Sequence, residues 1–428
     1  MQLTPELAHL CDFGIDDIVV YLLLMKPSLK DIKSRLGLIQ FLDFTYYDLA
    51  HAHRELGKQV REQVWRILDR RIADIKPERL TIKINQAKEC WNSLQDRAKH
   101  QRVAEILRVA ICDYMICLEA WADGLDLIKY SHPALKDLTS FGNLLAPPEL
   151  ALLLQDDNVG CQTGMYRYTS GGVQLWHTEE DVDRRSGSRF DCLRVASFRV
   201  GSGKGGERFH TFIYPDLMPG PAFSWRDDGY VQAVDTLLIN NPQPISDGMF
   251  ANIVCWLAVR VGLSVNTDDM LELLHPFIDG YAMNMIWLDN QTVRAARYEF
   301  AGNQVIKSSL DDEPGSFLFQ VNYFSDRTDA TLRAMEALSP RSERVMSERI
   351  DRTAQALQKP DAFANDAGFQ MRHFFRLLTS REGREWAYAN KDVKAHFLCQ
   401  VEPDEMEIWL GAGPAGREDV PLKITLEF

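Results

Sequence analysis

Residues 158–168 read Asn158-Val159-Gly160-Cys161-Gln162-Thr163-Gly164-Met165-Tyr166-Arg167-Tyr168, and a polar turn, Ser170-Gly171-Gly172, follows them. A second short apolar strand, Val173–Trp176, then runs into the ionisable cluster His177-Thr178-Glu179-Glu180-Asp181. Two short β-prone runs joined by a glycine-containing turn are typical of a tight hairpin. The sequence therefore predicts a hairpin whose first strand begins at a thiol preceded by glycine.

The position of Cys161 indicates a nucleophile. If the Gly160–Cys161 peptide bond were cut, Cys161 would carry both a thiol and a free α-amine. An α-amine titrates at about 7.7–8.0, close enough to neutrality to take a proton from a neighbouring thiol. The alternative is that Cys161 is a buried small hydrophobic side chain without chemistry, which is the commoner role of a cysteine on an apolar strand.

The length and composition of the chain place it among ordinary globular proteins. Its 428 residues exceed one simple core, so we expect two domains or one large domain with an appendage. It is 46% hydrophobic and 25% charged. A formal net charge of -13 argues against a nucleic-acid partner and against an anionic membrane surface.

No targeting or cofactor motif stands out. The longest apolar run, Ile18–Met25, is far shorter than the roughly 20 residues of a membrane span. The residues Met1–Glu6 lack the basic start of a signal peptide, so a cytoplasmic location is expected. The eight cysteines include no CxxC pair, so neither a disulfide framework nor a zinc site is indicated. We expect no metal and no cofactor.

The periodicity of apolar residues changes near Cys161. Residues 1–150 are predicted to be helical, with helices at Leu38–Leu56, at Val60–Ile75 and around 103–121, and Pro147-Pro148 closes this region. Beyond it, strands and helices come in blocks, which favours α+β layers. The predicted strands are Cys192–Val200, Phe209–Tyr214, Val231–Ile239, Ala282–Leu288, Thr292–Phe300, Ser316–Phe324 and His396–Val401, with helices at about 248–262, 267–277, 329–337, 343–357 and 366–380.

Two patterns that suggest ligand binding have simpler explanations. The run Gly201–Gly206 lacks the spacing of a phosphate-binding loop and joins two predicted strands, so we interpret it as a flexible hairpin loop. His51 and His53 lie two residues apart on a predicted helix, where they point to different faces and cannot easily chelate one ion.

Polar residues in or next to apolar strands supply the other candidates. Asn284 and Asn322 each lie in an apolar strand, where a side-chain amide must be hydrogen-bonded. Such an amide is either a structural group, the commoner case, or a donor for an oxyanion hole. The acidic residues after His177 form either a solvated turn or a carboxylate site opposite Cys161 that holds its α-ammonium.

These pieces, in this order, resemble the isopenicillin N acyltransferase-like branch of the N-terminal nucleophile (Ntn) hydrolases and, more distantly, the choloylglycine hydrolases. That family has Gly-Cys-Thr followed by Thr or Ser, then a hairpin and an acidic element. Here Gly160-Cys161-Gln162-Thr163 and His177-Thr178-Glu179-Glu180-Asp181 occupy those places. Later family elements are matched by Tyr214–Gly220, Gly229–Leu237, Asn284 with Asp289 and Glu299, Val321–Phe324 and Ser339–Arg344.

The sequence also departs from the family pattern. Gln162 replaces a small hydroxyl residue next to the nucleophile, and Arg226 stands where the family usually has asparagine. Val321 and Tyr323 replace threonine and histidine. These departures bear on the substrate class and on self-cleavage rather than on the scaffold.

The resemblance implies a fold and a set of roles. It implies an α+β fold with a four-layer αββα core over residues 161–428, preceded by a mainly α-helical segment, residues 1–160, that stays bound as a small subunit after cleavage at Gly160/Cys161. It makes Cys161 the nucleophile and Asn284 an oxyanion donor, with Glu180 or Asp181 orienting the α-amine. It also implies that Arg226 binds a substrate carboxylate. The expected substrate contacts are Arg226, His177, Asn322 and Tyr166.

The implied activity is a self-processing cysteine amidohydrolase or acyltransferase. Its expected substrate is a small acyl or aminoacyl amide or thioester of specialised metabolism, which a carrier protein can present. The alternative is a non-catalytic or uncut Ntn scaffold whose helical segment docks a carrier protein or another protein partner. The departures at Gln162 and Arg226 favour that alternative.

Overall fold

The computed structural model describes most of the chain outside its N-terminus and the long segment before the last three strands. The described residues are 39–99, 105–135, 146–155, 160–180, 193–200, 207–237, 251–262, 280–301, 304–326, 328–336, 393–412 and 422–427, with isolated residues between 340 and 351. The predicted helices at 267–277 and 366–380 lie outside them. No helix among these residues is long and apolar enough to cross a membrane.

Helices and strands alternate in blocks along the chain. The helices are α1 (Leu49–Asp74), α2 (Pro77–Lys99), α3 (Glu105–Gly124), α4 (Pro147–Gln155), α5 (Ala251–Val261) and α6 (Ala330–Met335). The strands are β1 (Ile39–Asp43), β2 (Gly160–Arg167), β3 (Val173–Glu180), β4 (Leu193–Val200), β5 (Glu207–Phe212), β6 (Phe223–Arg226), β7 (Val231–Thr236), β8 (Tyr281–Asp289), β9 (Thr292–Ala301), β10 (Gln304–Ser309), β11 (Phe317–Gln320), β12 (Val393–Val401), β13 (Glu405–Ala412) and β14 (Leu422–Glu427).

The strands form two sheets. Sheet I has eight strands in the order β1-β4-β5-β6-β7-β8-β9-β10, and sheet II has six in the order β11-β2-β3-β12-β13-β14. Every pairing between the described strands is antiparallel except that of β1 with β4, which is parallel. The predicted hairpin of β2 and β3 thus lies inside sheet II, between β11 and β12.

Alternating side chains divide the core into two parts. On β4, Ala196 and Phe198 join one apolar cluster with helices α1 to α5, whereas Val195 joins a second cluster with residues of sheet II such as Met165 and Phe397. Because neighbouring residues of a strand point to opposite faces, sheet I is covered by helices on one face and by sheet II on the other. The described residues therefore form helix, sheet and sheet layers, and the expectation of an α+β fold with a helical N-terminal segment is confirmed.

One prediction for the N-terminal segment is wrong. Residues 39–43 form the strand β1 rather than the start of a helix, and a single helix, α1, replaces the predicted pair. Leu42 and Phe44 contact the helices while Phe41 packs against the inter-sheet cluster. A short apolar run covered on both faces cannot be told from a helix by periodicity.

Asp48 caps α1 and accepts the His51 N–H at 2.8 Å.

Candidate active site

The β2–β3 hairpin fixes which side chains face sheet I. Cys161 pairs with Glu179 and Thr163 with His177 across the two antiparallel strands. Met165 and Leu175, further along the same alternation, belong to the inter-sheet cluster. All four polar residues therefore point from sheet II towards sheet I.

The thiol of Cys161 lies between the sheets. Its side chain is 2% exposed. The Sγ–H group donates to the Val234 carbonyl of β7 at 3.2 Å. The sulfur is therefore held where the hairpin of sheet II contacts the middle of sheet I.

His177 and Glu179 form a buried pair beside this sulfur. The His177 Nε2 and Glu179 Oε1 atoms are 2.6 Å apart, and the Tyr214 hydroxyl donates to the other Glu179 oxygen. His177 Nδ1 lies 2.7 Å from the Thr163 hydroxyl oxygen. One donor atom each from Cys161, His177 and Glu179 lies within 4.8 Å of the other two.

This trio contains the donor types that a metal such as zinc prefers. However, both ring nitrogens of His177 and both oxygens of Glu179 already have hydrogen-bond partners in the protein. A metal ion would have to replace the bond between the ring and the carboxylate. These side chains therefore form a hydrogen-bonded network, and we assign no metal to it.

Asp235 links this network to Asn284. One carboxylate oxygen of Asp235 accepts the Thr163 hydroxyl at 2.6 Å and the Asn284 Nδ2–H at 2.8 Å. The other oxygen, Oδ1, is buried and has no hydrogen-bond partner among the described residues. Burial raises the pKa of Asp235 to about 7, although His177 and the Thr163 hydroxyl oppose the shift.

A buried ion pair lies next to Asn284. Arg297, which pairs with Asn284 across β8 and β9, is 3.7 Å from the Glu299 carboxylate and donates to the Phe319 carbonyl at 3.0 Å. Desolvation lowers the pKa of Arg297, while the carboxylates of Glu299 and Asp235 oppose that shift. Of the described residues, the site therefore contains three buried acidic groups, Glu179, Asp235 and Glu299, and the Arg297 guanidinium.

The structure brings several predicted site residues together. Cys161, His177 and Asn284 belong to the hydrogen-bonded region, and Asn322 lies close by, since its Nδ2–H donates to the Thr236 carbonyl at 2.8 Å. Gly160 begins β2 opposite Glu180. The side chain of Glu180 and the whole of Asp181 lie outside the described residues.

Two predicted substrate contacts lie elsewhere. Arg226 is on the helix-covered face of sheet I, where its guanidinium pairs with Asp228 at 2.9 Å and with Glu207, and donates to the Val259 carbonyl of α5 at 3.1 Å. Its charge therefore secures the end of a helix. Tyr166 occupies an even position of β2, on the face of sheet II away from Cys161, with its ring 5.4 Å from that of Tyr168.

The sequence interpretation missed several members of the site, above all Glu179 and Thr163. Strand alternation is the signal that finds both of them. If Cys161 faces the core, then Thr163 does so too, and an antiparallel partner such as Glu179 must face the same way. Asp235, Tyr214 and Arg297 come from distant strands, and no local pattern marks them.

Comparison with known proteins adds no family to this geometry. No protein-family model matches the sequence, and a search of curated proteins finds no significant match. The functional argument therefore rests on the site itself.

Proposed function

We propose that this chain is a self-processing N-terminal cysteine amidohydrolase or acyltransferase, cut between Gly160 and Cys161. The observation that carries the proposal is the place of Cys161. It is the second residue of β2, it lies between two stacked sheets, and it has the Glu179 carboxylate opposite it. A thiol at a strand start with a carboxylate in reach is suited to become a nucleophile whose own α-amine is the base.

The proposed fold is a four-layer αββα core over residues 161–428, with residues 1–160 as the small subunit. The layer order of the described residues, helices then sheet I then sheet II, supports it. The small subunit would supply strand β1 and the helices α1 to α4 on the outer face of sheet I. The fourth layer would cover the outer face of sheet II.

Self-processing would begin with attack of Cys161 Sγ on the Gly160 carbonyl carbon. The C–N bond breaks as the C–S bond forms, and the departing nitrogen takes up a proton to become the α-amine. Water then hydrolyses the resulting thioester, which releases the Gly160 carboxylate and regenerates the thiol. The mature residue carries a free thiol and a free α-amine, as nucleophilic catalysis by an N-terminal residue requires.

In turnover, the Cys161 sulfur would attack an amide or thioester carbonyl. The α-amine takes the thiol proton and returns it to the leaving group. The Asn284 amide has two N–H groups, of which one binds Asp235, and the second would stabilise the oxyanion together with a backbone N–H. The carboxylate of Glu179, which pairs with Cys161, would orient the α-ammonium.

The proposed substrate is a small acyl or aminoacyl amide or thioester of specialised metabolism in the cytoplasm, free or presented by a carrier protein. Water as the second reactant makes the protein a hydrolase, whereas an amine makes it an acyltransferase. The burial of Cys161 between the sheets, with 2% of its side chain exposed, supports a small acyl group.

Intact mass spectrometry of freshly purified, untagged protein under denaturing conditions tests the proposal. We expect two fragments that meet at Gly160/Cys161, and a single 48.9 kDa chain from the Cys161→Ala variant. Cys399→Ala is the matched control, because Cys399 is another buried thiol of sheet II and should leave cleavage intact. A wild-type chain that stays uncut after long incubation would contradict self-processing and favour a non-catalytic scaffold with a docking segment.

A further inference from the structure

Four side chains form a continuous row of hydrogen bonds between the sheets. The Thr163 oxygen is 2.6 Å from Asp235 Oδ2 and 2.7 Å from His177 Nδ1, and His177 Nε2 is 2.6 Å from Glu179 Oε1. Each separation is a hydrogen-bond length, so each of the three links requires one hydrogen between its two atoms. The row ends at Glu179, beside Cys161.

The groups of this row do not supply enough hydrogens when both carboxyl groups are ionised. Thr163 supplies one, a neutral His177 supplies one, and the two carboxylates supply none. Two hydrogens shared among three links leave one link with lone pairs facing each other, which is costly in a buried site. One further proton completes the row, whichever of the three titratable groups carries it.

That further proton can move along the row without rotation of a side chain. When it is on Asp235, Thr163 donates to His177 and the Nε2–H group donates to Glu179. When it is on Glu179, each hydrogen bond runs in the opposite direction, and Thr163 donates to Asp235. The net charge of the row is the same in both arrangements, so a proton can pass between the two carboxyl groups at little electrostatic cost.

We propose that Asp235, Thr163, His177 and Glu179 form a proton relay that takes up the thiol proton of Cys161. The S–H bond breaks, an O–H bond forms at Glu179, and the transferred proton completes the unfilled link while the sulfur becomes a thiolate. The relay thus supplies a base before cleavage, when Cys161 has no α-amine. This inference deepens the proposed function and rests on it for its role in self-processing.

The distance from the sulfur to the relay is compatible with this transfer. The Cys161, His177 and Glu179 donor atoms lie within 4.8 Å of one another. Hydrogen bonds of catalytic groups are often long in the resting site and tighten during reaction. All of these groups are buried, with Cys161 2% and Glu179 1% exposed, so no bulk water competes for the proton.

Thr163 is the positioning residue on which the relay depends. Without its hydroxyl, only the link between His177 and Glu179 remains, and the single N–H of a neutral imidazole already fills it. The remaining hydrogen bond then has its hydrogen, so transfer of the Cys161 proton to Glu179 no longer completes a missing bond. Removal of the Thr163 hydroxyl should therefore raise the pKa of the Cys161 thiol, although it changes no charge.

Among the described residues, further polar and charged side chains face the relay and affect its charged groups. Tyr214, which follows β5, donates to Glu179 and favours its charged form. Asn284 from β8 does the same for Asp235. Arg297 from β9 stabilises the charged form of Asp235, and the Glu179 charge opposes it. Glu299, also from β9, faces Arg297 and partly offsets its charge.

The experiment measures the ionisation of Cys161 in place. The infrared S–H stretching band of the full chain is recorded against pH, and the spectrum of the matching Cys161→Ala protein is subtracted, so that only this thiol contributes. The variants are Thr163→Val, which keeps the shape, and Thr163→Ser, which keeps the hydroxyl; Thr163→Ala replaces Thr163→Val if the latter does not fold. Thr178→Val is the control, since Thr178 is a buried neighbour whose hydroxyl has no hydrogen-bond partner within the described ranges.

We expect the wild type, Thr163→Ser and Thr178→Val to lose the S–H band at similar pH, and Thr163→Val to lose it at least about one pH unit higher, a tenfold change in ionisation. Equal midpoints for Thr163→Val and the wild type would overturn the relay. The readout needs no substrate, and each protein is measured in its uncut form, as checked by intact mass, because a free α-amine would itself change the ionisation of the thiol. A higher midpoint in Thr163→Val, in a chain that is never cut, would therefore support the relay and contradict the proposed self-processing. An unchanged midpoint, in a chain that is later cut, would contradict the relay and support self-processing.

Discussion

Asp235 combines deep burial with a one-sided set of hydrogen bonds. One of its oxygens accepts two donors, the other has none in the part of the chain that the structure describes, and the side chain is 0% exposed. Both donors favour the charged form, but desolvation is the larger effect and raises the pKa to about 7. The residue is thus an acid that changes charge near neutral pH inside the protein.

Replacement of Asp235 by asparagine should alter how stability depends on pH. The folded-state pKa of about 7 lies above the ordinary value of 3.8. The protonated side chain therefore stabilises the folded state fully below pH 3.8, and this contribution is lost as the pH rises through about 7. Between about pH 4 and pH 8 the free energy of unfolding of Asp235→Asn should rise relative to the wild type, by at most on the order of 4 kcal/mol.

Urea unfolding at several pH values measures this difference. Asp404→Asn, at an exposed aspartate, is the control and should follow the wild type at every pH. A constant difference between Asp235→Asn and the wild type across this range would show that Asp235 does not titrate there.

At the scale of single residues, Cys161 can be singled out from the sequence, but its neighbours in the structure cannot. Cys161 and Asn284 are recognisable because a thiol after glycine and an amide in an apolar strand are locally unusual. Arg226 is misleading for the opposite reason, since a charged residue in an apolar strand can bind a substrate or a helix end equally well. Here the Arg226 guanidinium donates to two backbone carbonyls of α5, those of Val259 at 3.1 Å and of Arg260 at 3.2 Å.

At the scale of elements, the β2–β3 hairpin depends on Gly164. Gly164 lies opposite Trp176 on β3 and Phe319 on β11. The Trp176 indole lies over the glycine, so that a Cβ atom there would be only 1.9 Å from the ring. The absence of a side chain thus lets an indole cross a neighbouring strand on the outer face of sheet II.

Gly164→Ala should therefore destabilise the protein, by about 3 kcal/mol, because the indole must leave its position or the strands must separate. Thermal or urea unfolding measures the loss. The double variant Gly164→Ala/Trp176→Leu should recover part of it, since leucine removes the clashing ring. Wild-type stability in the single variant would mean that the indole moves aside without cost.

Elements with a clear period are predictable from the sequence, and β1 shows the limit. The strands of the hairpin and of β8 and β9 alternate in a way that a local pattern detects. Strand β1 is five residues long and covered on both faces, and its partner β4 is far away in the sequence. Register is equally invisible locally, and a shift of one residue exchanges Glu179 for Glu180 opposite Cys161.

At the scale of the whole molecule, the two sides of the Gly160–Cys161 bond are interwoven. Strand β1 pairs with β4, and helices α1 to α4 share an apolar core with sheet I. Arg71 of α1 also forms an ion pair with Asp216, which is fully buried. Separation of the parts would expose this core and take the Arg71 guanidinium away from a buried carboxylate.

Residues 1–160 and 161–428, produced together as separate chains, should therefore remain bound to each other. Size-exclusion chromatography should give one peak that contains both, and denaturant should resolve it into two. Two peaks under native conditions would show that the peptide connection holds the parts together. This outcome does not depend on whether the protein cuts itself.

The position of β12 has a consequence for the order of events in folding. This strand, Val393–Val401, lies between β3 and β13, so the strand that carries His177 and Glu179 has an unpaired edge until residues 393–401 have been made. Pairing across so long a stretch of chain is slow, because a large loop must close first. We therefore expect the hydrogen-bonded network around His177 and Glu179 to be completed late in folding, only after residues 393–401 have joined sheet II.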